Sequence, residues 1–149
     1  MNIYLAKVKE DPSFLQYIEN QTDEICLVAV KETGFALQYV KNQTEEICLA
    51  AVKQFSLALE FVKNQTEEIC LMAVKQDGWT LQYVKNQTEK ICLAVIRQNT
   101  FASRYVRNQT RKILEFIYKN NFVIPFGLEI EKKVLKTCSI PCQLWFNLI

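Results

Sequence analysis

The chain has 149 residues, of which 50% are hydrophobic and 23% charged, with six Cys, no His and a formal net charge of +2. That length suits one domain with a narrow continuous core, and the composition excludes a disordered or fibrous chain. The absence of His removes the commonest general base and the commonest zinc ligand, and no apolar run reaches the roughly 18 to 20 residues of a membrane span.

Residues 1–10, MNIYLAKVKE, lack the apolar core and small-residue cleavage site of a signal peptide, so the expected compartment is the cytoplasm. Their apolar positions Ile3, Tyr4, Leu5, Ala6 and Val8 align, 22 residues on, with Ile25, Cys26, Leu27, Val28 and Val30. The repeat array is therefore expected to run from residue 1. Asp11 suits a helix N-cap and Pro12 the first helical position, which predicts a second helix over DPSFLQYIE. Asn-Gln-Thr then occurs at 20–22, 42–44, 64–66, 86–88 and 108–110, with no gap or insertion.

Each copy opens one helix: TDEICLVAVKE, TEEICLAAVKQ, TEEICLMAVKQ, TEKICLAVIRQ and, degenerating, TRKILEFIYKN. Thr22, Thr44, Thr66, Thr88 and Thr110 sit where a hydroxyl can cap the first turn. Acids follow in the first four copies, and Lys31, Lys53, Lys75 or Arg97 closes the helix, as the helix dipole favours. The second half of each unit is also predicted helical, with Thr33, Asp77 and Asn99 at the cap position of Asp11 and Phe55 breaking the pattern. Leu37 and Val40, repeated as Leu59 and Val62 and as Leu81 and Val84, give an i, i+3 seam, and Tyr39, Phe61 and Tyr83 mark the groove between units.

The array comprises about five helix pairs and a sixth first helix ending near Lys119, where Asn120-Asn121 and Pro125 stop the pattern. Residues 127–136 suit one more helix, and 137–149 form an apolar tail, TCSIPCQLWFNLI. The expected fold is all-α: a right-handed α-solenoid of five to six short helix-turn-helix repeats over 1–119, with 120–149 as a C-terminal cap or contact segment of the same domain.

Cys26, Cys48, Cys70 and Cys92 recur at one apolar position and read as buried reduced thiols. Cys138 and Cys142 are spaced CxxxC with no second pair nearby, so no metal site or cofactor is expected. Acid pairs such as Glu45-Glu46 and Glu67-Glu68 are explained by the helix dipole rather than by acid–base catalysis, and no enzyme activity is expected. The Asn-x-Thr sequons read as turn and cap residues. A column of equivalent Asn and Gln side chains is a candidate hydrogen-bonded ladder along one edge.

Charge is unevenly placed: residues 1–84 hold 7 Lys or Arg against 12 Asp or Glu, and residues 85–149 hold 11 against 4. Lys90 and Lys112 stand where earlier units have Glu46 and Glu68, Arg111 stands where they have Glu67 and Glu89, and Arg104 replaces Gln or Glu. Such polarity can orient a partner or join copies head to tail. The candidate partner-binding residues are Lys85, Lys90, Arg97, Arg104, Arg107, Arg111 and Lys112 on the basic half, with Leu144, Trp145 and Phe146 in the tail. Phe101, Tyr105 and Tyr118, which accompany the basic residues, fall at repeated core positions.

The stretch FALQYVKNQTEEICLAAVKQ at 35–54, with Leu-x-[Tyr/Phe]-Val followed nine residues later by Leu-x-Ala-Val, resembles the short helical repeats of domain-of-unknown-function family 4116. The resemblance covers residues 1–119. It implies an interaction or structural module with no catalytic residues, and a viral origin, since such repeats are abundant in giant viruses of amoebae and occur in some protists. The expected function is a non-enzymatic scaffold for another protein or for copies of itself, in host cytoplasm or virion, with no membrane contact. The alternative is an RNA-binding solenoid that uses the basic half.

Overall fold

The computed structural model describes residues 3–107 and 110–120. The expected helix at 127–136, the Cys138 and Cys142 pair, and the tail residues Leu144, Trp145 and Phe146 lie outside the described residues. Within them, α-helices alternate with 3-10 helices. The α-helices are α1 (Ile3–Glu10), α2 (Asp23–Glu32), α3 (Glu45–Gln54), α4 (Glu67–Gln76), α5 (Glu89–Gln98) and α6 (Arg111–Lys119). The 3-10 helices are η1 (Pro12–Tyr17), η2 (Gly34–Tyr39), η3 (Ser56–Phe61), η4 (Gly78–Tyr83) and η5 (Thr100–Tyr105).

The threonine caps act as expected. Thr22, Thr44, Thr66, Thr88 and Thr110 each accept through Oγ1 from the amide three residues on, at 3.3 to 3.4 Å. At the other end, one extended residue finishes the α-helix and begins the 3-10 helix. Thr33, with φ −148° and ψ 127°, donates its amide to Ala29 O and is also the N-cap of η2; Phe55, Asp77 and Asn99 do the same in later units. The two helices of a unit therefore need no separate linker.

The second helix is a six-residue 3-10 helix rather than the α-helix expected. Its backbone bonds close three residues apart, Ala36 N donating to Thr33 O at 3.0 Å and Val40 N to Leu37 O at 3.1 Å, while Gly34, Ala36, Leu37 and Val40 are buried and Gln38 and Lys41 exposed. The caps also differ from expectation at Thr33, whose side chain makes no cap bond. Gln54 Oε1 from the next unit accepts from Gly34 N at 2.7 Å instead. Asp11, Asp77 and Asn99 do cap, each accepting from the amide two residues on.

Helices of each kind pack in series, α1 to α6 in one layer and η1 to η5 in the other, and the core lies between. Each α2-to-α5 helix contributes the same four buried positions, such as Ile25, Cys26, Ala29 and Val30, and the facing η helices contribute Leu15, Leu37, Leu59 and Leu81, all fully buried. Burying each such leucine stabilises the fold by about 2 to 3 kcal/mol. This is the all-α repeat solenoid expected, with units that cannot bury their faces alone.

Candidate interaction surfaces

Joining the units is a set of polar columns, and what these columns consume decides what is left for a partner. The glutamine of each Asn-Gln-Thr is the centre. Gln21 Nε2 donates to Leu15 O of its own unit at 3.0 Å and to Tyr39 O of the next at 2.9 Å, while its Oε1 accepts from Lys41 N at 2.9 Å. Cys26 Sγ, a weak donor, lies 3.8 Å from the same oxygen. Gln43, Gln65 and Gln87 repeat the arrangement. The column expected from the sequence exists, but its bonds run to backbone groups of two units rather than from side chain to side chain. Asn20, Asn42, Asn64 and Asn86 are exposed beside it.

The four cysteines behind the glutamines are buried and free, as expected. Burial, more than the nearby carboxylates, pushes the Cys26, Cys48 and Cys70 thiols up, and burial pushes Cys92 up to about 11. They are neutral at physiological pH and poor nucleophiles.

Three further columns cross the junctions. Lys41, Lys63 and Lys85 reach back with Nζ to two carbonyls of the preceding unit. Gln54, Gln76 and Gln98 donate to Glu32 O, Lys53 O and Lys75 O. Thr66, Thr88 and Thr110 donate through Oγ1 to the carboxylates of Glu45, Glu67 and Glu89 at 2.7 to 2.9 Å.

The basic candidates prove to be part of this framework. Lys85 lies in the lysine column, and Arg107, one unit on, donates to Gln82 O at 2.9 Å. Lys90 pairs with Glu67 at 2.9 Å and Lys112 with Glu89 at 3.1 Å, each across one junction; Arg111 pairs with Glu115 at 2.7 Å. The bond from Lys90, then that from Thr88, holds Glu67 below the usual carboxylate range; for Glu89 the bond from Thr110 leads and Lys112 follows. Arg97 lies 5.4 Å over the Phe116 ring and Arg104 5.7 Å over Trp79. The replacement of acids by Lys90 and Lys112 thus supplies partners to acids of the preceding unit. Their side chains stay 66% and 74% exposed, so the pairs are surface pairs of small energy.

Phe101 differs from expectation: it is 65% exposed rather than in the core. Its repeat position, which holds Phe35, Leu57 and Trp79 in earlier units, is one residue past the buried edge of the 3-10 helix and turns about 120° away from it. Phe35 and Trp79 are 44% and 39% exposed and lean on the next unit, Phe35 against Phe61 at 6.0 Å and Trp79 against Tyr105 at 5.5 Å. With half-buried Tyr39, Phe61, Tyr83 and Tyr105, these rings make an aromatic row along the η layer. The sequence carried one signal of it. The position varies among Ser, Phe, Leu and Trp, whereas two residues on it is always Leu from η1 to η4.

Across the molecule, the outward side of the α layer carries a shallow groove at α4 and α5, lined by Glu67, Glu68, Leu71, Met72, Lys75, Gln76 and Lys90. Among the described residues no cluster of three or more Cys, Asp or Glu side chains converges as a metal site does, and no helix is long and apolar enough to cross a membrane.

The family model described as Domain of unknown function (DUF4116) matches residues 23–66 and again 44–88, two overlapping windows offset by about one repeat. No curated protein and no solved structure matches the chain.

Proposed function

Because residues 23–88 belong to the DUF4116 family, with each unit built to stack on the next, we propose that the chain is a non-enzymatic scaffold that binds another protein through the faces of its two layers. The aromatic row carries this reading: Phe35, Trp79 and Phe101 stand 39% to 65% exposed at one repeated position. Large apolar groups aligned on a surface and rimmed by polar side chains favour a protein partner. The polar side chains at the junctions are engaged in holding units together, which leaves the faces for recognition. The RNA alternative has less support, since the seven candidate cations from Lys85 to Lys112 each face an acid, carbonyl or ring of the array. A virion component or a host-directed adaptor in the cytoplasm is the setting in which we place such a scaffold.

A second reading is stacking of copies end to end. Ile3, Tyr4 and Tyr17 of the first unit are 64%, 44% and 71% exposed, whereas Ile25 and Cys26, one unit on from Ile3 and Tyr4, are each 2% exposed. The opposite charges of the two halves suit the same geometry.

The face reading is tested by retention of a partner on the immobilised chain, with a variant carrying Phe35→Ser, Trp79→Ser and Phe101→Ser as comparison. A protein held by the parent chain and released by a variant that still unfolds cooperatively supports it. Equal retention by both, or none by either, overturns it.

A further inference from the structure

The outward face of the α layer repeats one chemical pattern three times. In α2, Glu24, Leu27, Val28 and Lys31 fall at i, i+3, i+4 and i+7 and so share a face. The same face carries Glu46, Leu49, Ala50 and Lys53 in α3, and Glu68, Leu71, Met72 and Lys75 in α4. In every case the acid and the base are exposed and the apolar pair between them is half-buried. The result is an apolar stripe running across three helices, with a rail of carboxylates on one side and a rail of ammonium groups on the other.

These charges differ from their neighbours in being unspent. Glu45 and Glu67, one residue earlier in their helices, are bonded to Thr66, Thr88 and Lys90 of the following units. The described hydrogen bonds and ion pairs engage the side chains of neither Glu24, Glu46 and Glu68 nor Lys31, Lys53 and Lys75. The helix dipole explains why acids stand at one end and bases at the other. The apolar pair between them packs with one side against the core of the array and leaves its other side at the surface, between the two rails. Both rails change at α5: Lys90 takes the acid position and pairs with Glu67, and Arg97 lies over Phe116.

The dimensions select the occupant. Seven residues of α-helix separate the rails by about 10 Å, which is the diameter of an α-helix with its side chains. Three helices packed at about 8 to 10 Å give a stripe of roughly 25 Å, the length of some 17 helical residues. We infer that this face takes an amphipathic α-helix of a partner protein, laid along the array with its apolar side on the stripe, a basic edge on the glutamate rail and an acidic edge on the lysine rail. This names the partner class within the scaffold reading and rests on it. The two unlike edges fix the direction in which the helix lies, because turning it end for end brings like charges together.

The probe is a synthetic 21-residue helical peptide with leucines on one face, lysines along one edge, glutamates along the other, and a fluorophore at one end. Its binding to the full chain is followed by anisotropy at low salt. The parent chain binds it, and a peptide of the same composition in scrambled order binds at least tenfold more weakly. Reversing one rail, by Glu24→Lys, Glu46→Lys and Glu68→Lys or by Lys31→Glu, Lys53→Glu and Lys75→Glu, weakens binding at least tenfold. Reversing both rails restores it to within about threefold, with the peptide lying the other way. If circular dichroism shows that a reversed variant has not folded, Gln at the same three positions replaces it, with a loss of at least threefold expected. No binding by the parent chain, equal binding of the scrambled peptide, or indifference to both rails overturns the inference. Any of these results with the aromatic-row test still positive leaves the scaffold reading in place; failure of both removes it.

Discussion

Replacing a single junction glutamine by leucine strands backbone groups of two units at once. In Gln87→Leu the carbonyls of Leu81 and Tyr105 and the amide of Arg107 lose their partner in a place where the glutamine is only 9% exposed. Three such losses are expected to destabilise the chain by about 2 to 4 kcal/mol, whereas Gln82→Leu, on an exposed position, changes stability by less than about 0.5 kcal/mol. Urea unfolding of the two variants measures the difference. The thiols beside these glutamines make a second prediction at this scale. A thiol whose pKa is raised by folding leaves stability intact below its unfolded value, near 9, and costs stability as pH rises towards the folded value, about 11 for Cys92. The unfolding midpoint should therefore fall between pH 9 and 11, and Cys92→Ala should make that fall shallower. The recurrence of Asn-Gln-Thr made the glutamine column legible, but its bonding was not. Its partners are backbone groups 6 residues back and 18 and 20 residues ahead, and side-chain type does not announce a backbone acceptor.

At the scale of the element, the 3-10 helices test how much each cap contributes. Asn99 accepts from Phe101 N at 3.0 Å, so Asn99→Ala should cost about 1 kcal/mol; Thr33→Ala, which removes no cap bond, should cost a few tenths at most. The two glycines at the start of η2 and η4 separate in the same way. A Cβ on Gly34 meets Ala51 O at 2.6 Å and Phe55 Cβ at 2.9 Å, while on Gly78 its nearest neighbours, Ala102 Cβ and Val95 Cγ1, stand at 3.3 Å. Gly34→Ala should destabilise by more than about 1 kcal/mol and Gly78→Ala by clearly less, read from thermal unfolding of each. The Ala51 carbonyl, a backbone group, accounts for most of the contrast and the Phe55 Cβ for the rest; Phe55, the residue that breaks the cap pattern, is held there with its ring on Phe35 at 4.6 Å. Helix positions and the start of each α-helix were readable from caps and periodicity. The 3-10 geometry was not, because an α-helix shares the i, i+3 seam and the burial of Ala36 beside Leu37 and Val40 fits either winding.

At the scale of the whole molecule, equivalent junctions make the units interchangeable. Excising residues 45–66 brings Thr44 directly before Glu67 and rebuilds a junction of the same kind, with Gln43 facing Tyr83 O and Lys85 N. The shortened chain should fold cooperatively with a lower melting temperature, since stability in such arrays grows with the number of units. The uneven charge of the chain was legible from sequence, but its use was not: Lys90 and Lys112 are acid partners within the array, a fact that follows only once units are stacked. Under the scaffold function proposed above, this internal use of the basic half favours the faces of the layers over the ends of the array as the place of association. The direct measurement is the molar mass of the purified chain by light scattering at low and at high salt. The account predicts a value near 17.4 kDa at both. A multiple of that mass that dissociates as salt rises would contradict it, by placing association at the oppositely charged ends.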